Sequence, residues 1–217
     1  MASPYSQRIG ASTDDAHYYL GTPNAISLTG SQLWTGFSGK SFNSAMRFTG
    51  VTIPAGSTIL TSKITFISHG NYADQVLDMD IYGEQGVDVA TFSTYNNVVG
   101  RTRTTHKVDW AATLNWTAET AYETPSLNDI LQELVDDYGE LNNANIAFFI
   151  QNVASSGVIL PESYNHDVNQ APLLTITWSE IVGWANIASI MGVASADIAS
   201  INGVAVADIA YVNGVAV

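Results

Sequence analysis

Along the first 180 residues the apolar positions recur mostly with period two. Leu77, Met79 and Ile81 alternate with Asp78, Asp80 and Tyr82, which puts three apolar side chains on one face of a strand over 77–83. Residues 58–67 are rich in β-branched types and alternate in part, and 145–150 and 173–178 are apolar runs bounded by Asn, Gly and Pro. Many short strands with turn residues between them predict an all-β domain, a sandwich or a barrel. One segment changes period. Leu127, Ile130, Leu131 and Leu134 stand at i, i+3, i+4 and i+7, which predicts a helix over 124–135. Thr124 is its expected cap, Pro125 suits the first turn, and Asp136, Asp137 and Gly139 close it. A single helix over one end of a sandwich fits this order.

Residues 181–217 obey another rule. Ile187-Ala188-Ser189-Ile190-Met191-Gly192-Val193 returns eleven residues later as Ile198-Ala199-Ser200-Ile201-Asn202-Gly203-Val204, and again as Ile209-Ala210-Tyr211-Val212-Asn213-Gly214-Val215. Asn186, Asp197 and Asp208 precede the copies. The expected unit is a capped short helical turn, ended by Gly in the left-handed region and followed by an extended Val-Ala stretch. One such turn is unstable alone, so repeats must stack or dock to bury their apolar face. That face comprises Ile187, Ile190, Val193, Ile198, Ile201, Val204, Ile209, Val212 and Val215. The chain thus divides into a β-sandwich domain, 1–180, and an apolar repeat tail for assembly or anchoring, 181–217.

Composition narrows the function. Hydrophobic residues reach 46% and support a core, whereas charged residues are only 12%, leaving Ser, Thr, Asn and Gly to supply most of the polar surface. Seven basic residues face 20 acidic ones, a net charge of −13, which argues against a nucleic-acid partner. All basic residues lie at or before Lys107, and the 13 acids beyond it are followed by no cation in sequence. Absence of Cys excludes disulfides and thiolate chemistry. No secretory signal is expected from the opening residues, and no apolar run is long enough for a membrane span.

Candidate chemistry is sparse. His17, His69, His106 and His166 show no metal-ligand spacing, so no metal site is expected. There is no nucleophile elbow and no phosphate-cradling loop. Glu84 with Asp88, or Glu119 with Glu123, would be the only acid–base pairs to consider, and such pairs arise by chance in an acidic chain. The expectation is a protein without catalysis and without a cofactor. Asp14-Asp15 and the group Asp78, Asp80 and Glu84 offer oxygens suited to calcium, though in no EF-hand loop. Trp34 and Trp116 lie near turns and are the candidates for stacking on a glycan, while Trp110 and Trp178 close strands and belong to the core. Read as a strand, 101–107 aligns Arg101, Arg103, Thr105 and Lys107 on one face, either a basic contact stripe for an acidic surface or an outward face that guards a sheet edge.

Several of these segments carry a resemblance. Arg47-Phe48-Thr49-Gly50-Val51-Thr52-Ile53-Pro54-Ala55-Gly56-Ser57-Thr58-Ile59 resembles the R-F-x-x-V-x-I-P-x-G-x-x-I signature of a group of jelly-roll modules. Ile81-Tyr82-Gly83-Glu84, Ala90-Thr91-Phe92, the stretch Arg101 to Trp110, Thr124-Pro125-Ser126-Leu127 and Ala171-Pro172-Leu173-Leu174 match further parts of that pattern. Over roughly residues 10–178 the chain is similar to carbohydrate-binding-like modules of the DNRLRE or disaggregatase-related group. That resemblance implies a jelly-roll antiparallel sandwich. Where the modules carry W-x-x-G after the helix, this chain has Tyr138-Gly139-Glu140-Leu141. The tail resembles the I-A-x-V-N-G-V-A repeats that end structural proteins of tailed phages, cyanophages and marine phages among them; its first copy departs, with Met191 in place of Asn. The two resemblances together imply a virion protein, foremost a capsid decoration (cement) protein or short head fibre. It would be homotrimeric and in contact with the major capsid protein or other virion proteins. A tail-associated adhesin for host glycans and a free carbohydrate-binding module are the alternatives.

Overall fold

The computed structural model describes residues 4–179 and six two-residue strands between Ser189 and Ala216. Two antiparallel sheets enclose the core. The smaller is ordered β1 (Tyr5–Arg8), β12 (Leu173–Ser179), β6 (Thr58–Ile67) and β9 (Ala121–Glu123). The larger runs β11 (Val158–Ile159), β4 (Thr35–Phe37), β5 (Ser41–Ile53), β10 (Leu141–Asn152), β7 (Tyr72–Glu84) and β8 (Arg103–Trp116). To β5 it adds β2 (Asp15–Leu20), which carries β3 (Ala25–Ser27). This is the all-β, jelly-roll-like sandwich that the alternation predicts, and β6, β7, β10 and β12 lie on the four strands read from the sequence. Leu77, Met79 and Ile81 point inward and are at most 1% exposed.

The Phe48-to-Val51 spacing is odd for a strand, yet both side chains are fully buried. The register against β10 shifts between them, from Phe48↔Ile146 to Val51↔Ala144. Gly50 takes up the bulge with φ +70. The Pro54-Ala55-Gly56-Ser57 turn then carries the chain from the larger sheet to the smaller, closed by Ser57 N–H donating to Pro54 O at 3.2 Å.

The predicted helix is α2 (Asn128–Tyr138), which starts four residues later than expected and ends three later. Leu127 occupies the cap position without a side-chain hydrogen bond, so Thr124 is not the cap. Its hydroxyl instead accepts from Ile64 N–H at 3.1 Å, serving the edge of β6. Asp136 and Asp137 sit inside the helix, and Gly139, at φ +80, ends it. Ile130, Leu131 and Leu134 are fully buried. The polar side of α2 closes open edges of both sheets. Gln132 accepts from Ile59 N–H at 2.9 Å, and Glu133 accepts from Thr105 N–H at 2.7 Å and His106 N–H at 2.6 Å. A second helix that the pattern does not announce, α1 (Tyr95–Val99), lies in the β7–β8 connection and is capped by Thr94.

In the tail the expected helical turns give way to three antiparallel pairs. Ser189–Ile190 (β13) pairs with Val193–Ala194 (β14), Ser200–Ile201 (β15) with Val204–Ala205 (β16), and Tyr211–Val212 (β17) with Val215–Ala216 (β18). Two residues separate each pair, Asn-Gly in the second and third, and that dipeptide favours a tight hairpin over a helix end. Ile190, Ile201 and Val212 are therefore strand residues, as are Val193, Val204 and Val215. Ile187, Ile198 and Ile209 lie outside the described residues.

Candidate functional site

The outer face of the larger sheet is covered by the β7–β8 connection. Val89, Phe92 and Val98 from that connection pack with Ala16, Tyr18, Ala45, Ala147 and Phe149 in a second apolar cluster. Arginines fasten it down. The Arg101 side chain is 7% exposed, pairs with Glu84 at 2.8 Å and donates to Thr91 O and Asn97 Oδ1. Arg103 lies 3.4 Å from the Phe149 ring centroid and donates to Arg101 O and Val98 O. Lys107 sits between Asp80 and Asp109, 2.9 Å from each. The expected basic contact stripe is thus broken. Its arginines are committed to holding α1 on the sheet, Arg101 lies outside β8, and Lys107 alone is half-exposed, already with two acids.

Beside this latch is an open depression of about 200 Å³. Tyr18, Asn43, Arg103, Gln151 and Asn152 supply polar walls, and Leu20 and Val99 an apolar rim. Tyr18 Oη and Arg103 Nε are buried there without hydrogen-bond partners. Burial pushes the Tyr18 phenol up, against the opposing pull of Arg103. The two tryptophan candidates separate. Trp116 is 2% exposed, stacked on Tyr122 with ring centroids 4.7 Å apart, and so belongs to the core rather than to a glycan platform. Trp34 is half-buried against Phe42 at 5.1 Å, and Phe42 also meets Tyr19 at 5.6 Å. Trp110 is core as expected, and Trp178 packs half-buried against the main core.

The acids are mostly engaged. Glu84 holds Arg101 and Glu123 holds Lys63 at 2.7 Å, while Glu119 accepts from Gln170 Nε2 at 2.6 Å. Asp14 pairs with Arg47 at 2.8 Å and Asp80 with Lys107. Asp15 has no cation among the described residues. It accepts from Tyr164 N–H at 2.8 Å, and burial pushes its carboxyl up to about 7.

The fold also assembles a cluster that linear spacing conceals. Ser68 and Pro161 form an isolated bridge, His69 N–H donates to Leu160 O, and Glu162 N–H donates to Ile67 O. These bonds bring the end of β6 against the β11–β12 connection. His166 N–H then donates to Ser163 O and folds the connection back over Glu162. Glu162 is 1% exposed, with His69 Nδ1 2.9 Å from Oε1 and His166 Nδ1 2.6 Å from Oε2. Their candidate ligand atoms all lie within 4.8 Å of one another. Burial and the Glu162 charge both push the nearby Tyr72 phenol up. The sequence reading expects no metal site, because the histidines are far apart in the chain. The linear signal that would have pointed to it is Glu162 with His166, four residues apart.

No family model matches the chain, and no curated protein matches it. Among solved structures it is similar to an isomalto-dextranase of Arthrobacter globiformis T6 complexed with panose. That similarity covers 79% of this chain and 23% of the other, at 11% identity and a TM-score of 0.33. This chain therefore spans less than a quarter of that enzyme.

Proposed function

We propose that the chain is a non-catalytic structural protein of a tailed-phage particle, displayed on the head as a decoration protein or short fibre and assembled as a homotrimer through its tail. The observation that carries this reading is the tail itself, three strand pairs in register at an eleven-residue step, rich in Ile and Val and poor in charge. Two-residue strands cannot bury such faces by themselves, so each repeat calls for a neighbour, and further copies of the same chain supply one most simply. The engaged state of Glu84, Glu119 and Glu123 supports the non-catalytic half of the proposal.

A second reading, an adhesin for host glycans, draws on the depression lined by Tyr18 and Arg103, where a phenol and a guanidinium stand beside the apolar Leu20 and Val99. Imaging purified particles at subnanometre resolution tests both. Density for the sandwich in many symmetric copies on the head is the expected result. A few copies at the tail tip would favour the adhesin, and absence from particles would defeat both.

A further inference from the structure

We propose that His69, Glu162 and His166 form a binding site for one divalent transition-metal ion of the zinc type. The need for a cation comes first. Glu162 is all but fully buried, and a buried carboxylate must be paired or it loses several kcal/mol to desolvation. Among the described residues no Lys or Arg lies within ion-pair distance of it; its two neighbours are imidazoles. Moreover, Oε2 has no hydrogen-bond partner, although His166 Nδ1 is 2.6 Å away, because that contact lacks hydrogen-bonding geometry. His69 Nδ1 is hydrogen-bonded to Oε1 at 2.9 Å, whereas Oε2 is left unsatisfied beside His166, and the three groups together form a nitrogen–oxygen donor set suited to an ion.

The donor types select the metal. Two nitrogens and one oxygen suit zinc and its neighbours in the first transition row, whereas calcium and magnesium take oxygen donors. Tetrahedral bonds of about 2.0–2.2 Å set ligand atoms about 3.4 Å apart, inside the 4.8 Å within which these atoms lie. The His69 and His166 side chains are 26% and 45% exposed, so the fourth position faces water and an ion can enter from solvent. The site would staple the end of β6 to the β11–β12 connection. It stands on these residues alone and holds whether or not the chain is a virion protein.

The test uses the untagged full chain, stripped with a chelator at pH 7.5 and titrated with zinc chloride alone, followed by calorimetry and by thermal melting. One equivalent should bind and raise the melting temperature, and calcium chloride should do neither. His69→Ala and His166→Ala should each weaken zinc binding by about 100-fold. Melting of the stripped variants checks that they remain folded. If a variant does not fold, cobalt(II) replaces zinc in the parent chain, and visible absorption bands of tetrahedral nitrogen–oxygen ligation support the site. Absence of heat and of any melting shift at millimolar zinc, zinc binding undiminished in folded histidine variants, or cobalt without those bands would overturn it.

Discussion

Asp15 shows how one buried residue sets a pH response. Its neighbour Asp14 takes Arg47, leaving Asp15 with a backbone donor from Tyr164 and no cation among the described residues. Because burial raises its carboxyl to about 7 in the fold, the folded chain holds a proton that the unfolded chain releases near pH 4. The folded state binds more protons between those values, so this group's contribution to stability declines as pH rises from about 4 to 7. Asp15→Asn keeps an oxygen for Tyr164 and removes the titration. It should be more stable than the parent at pH 8 by on the order of 2–4 kcal/mol, and the gap should close near pH 4. Urea unfolding of both proteins across that range measures it. The same scale shows what the sequence conceals. Trp34 and Trp116 read alike as turn-proximal tryptophans, yet only packing places Trp116 under Tyr122 and leaves Trp34 half-exposed.

At the scale of elements, α2 acts as an edge guard. Glu133 spends its carboxylate on two edge N–H groups of β8 and on the His106 ring, 2.9 Å away. Burial pushes this carboxyl up, but the His106 and Thr105 donors outweigh it and hold the group below the ordinary range. Folding therefore favours the ionised form, and the stabilisation is present above about pH 4.5 and lost on acidification. Glu133→Gln should cost roughly 1–2 kcal/mol at pH 7, with faster amide exchange at Thr105 and His106, and the cost should shrink below pH 4. Denaturant melts and exchange measurements read both. The helix itself was legible because four Leu and Ile positions keep its period. Its start was not, because Thr124 resembles a cap while serving β6, a partner distant in sequence. The tail shows a local rule that did carry the answer: Asn-Gly between Ile201 and Val204 marks a hairpin more strongly than the preceding Asp197 marks a helical turn.

For the whole molecule, the sandwich could be read from alternation in its long strands, since burial on one face imposes period two. The shorter strands β1, β3, β4, β9 and β11 are two to four residues long and leave too little pattern to find. The second apolar cluster was likewise hidden, because α1 is short and acquires its partners only when the β7–β8 connection folds over the sheet. The His69, Glu162 and His166 cluster depends on the bridge between Ser68 and Pro161, a contact that no linear spacing records.

Among the described residues, both apolar clusters are built from positions between Tyr5 and Trp178. In the proposed reading, the sandwich supplies the displayed body and residues 181–217 supply assembly. Light scattering of the full chain beside a chain ending at residue 180 tests that division most directly. The account predicts a mass near three times 23.2 kDa for the full chain and a folded, soluble monomer for the truncation. A monomeric full chain, or a truncation that keeps the oligomeric mass, would contradict it.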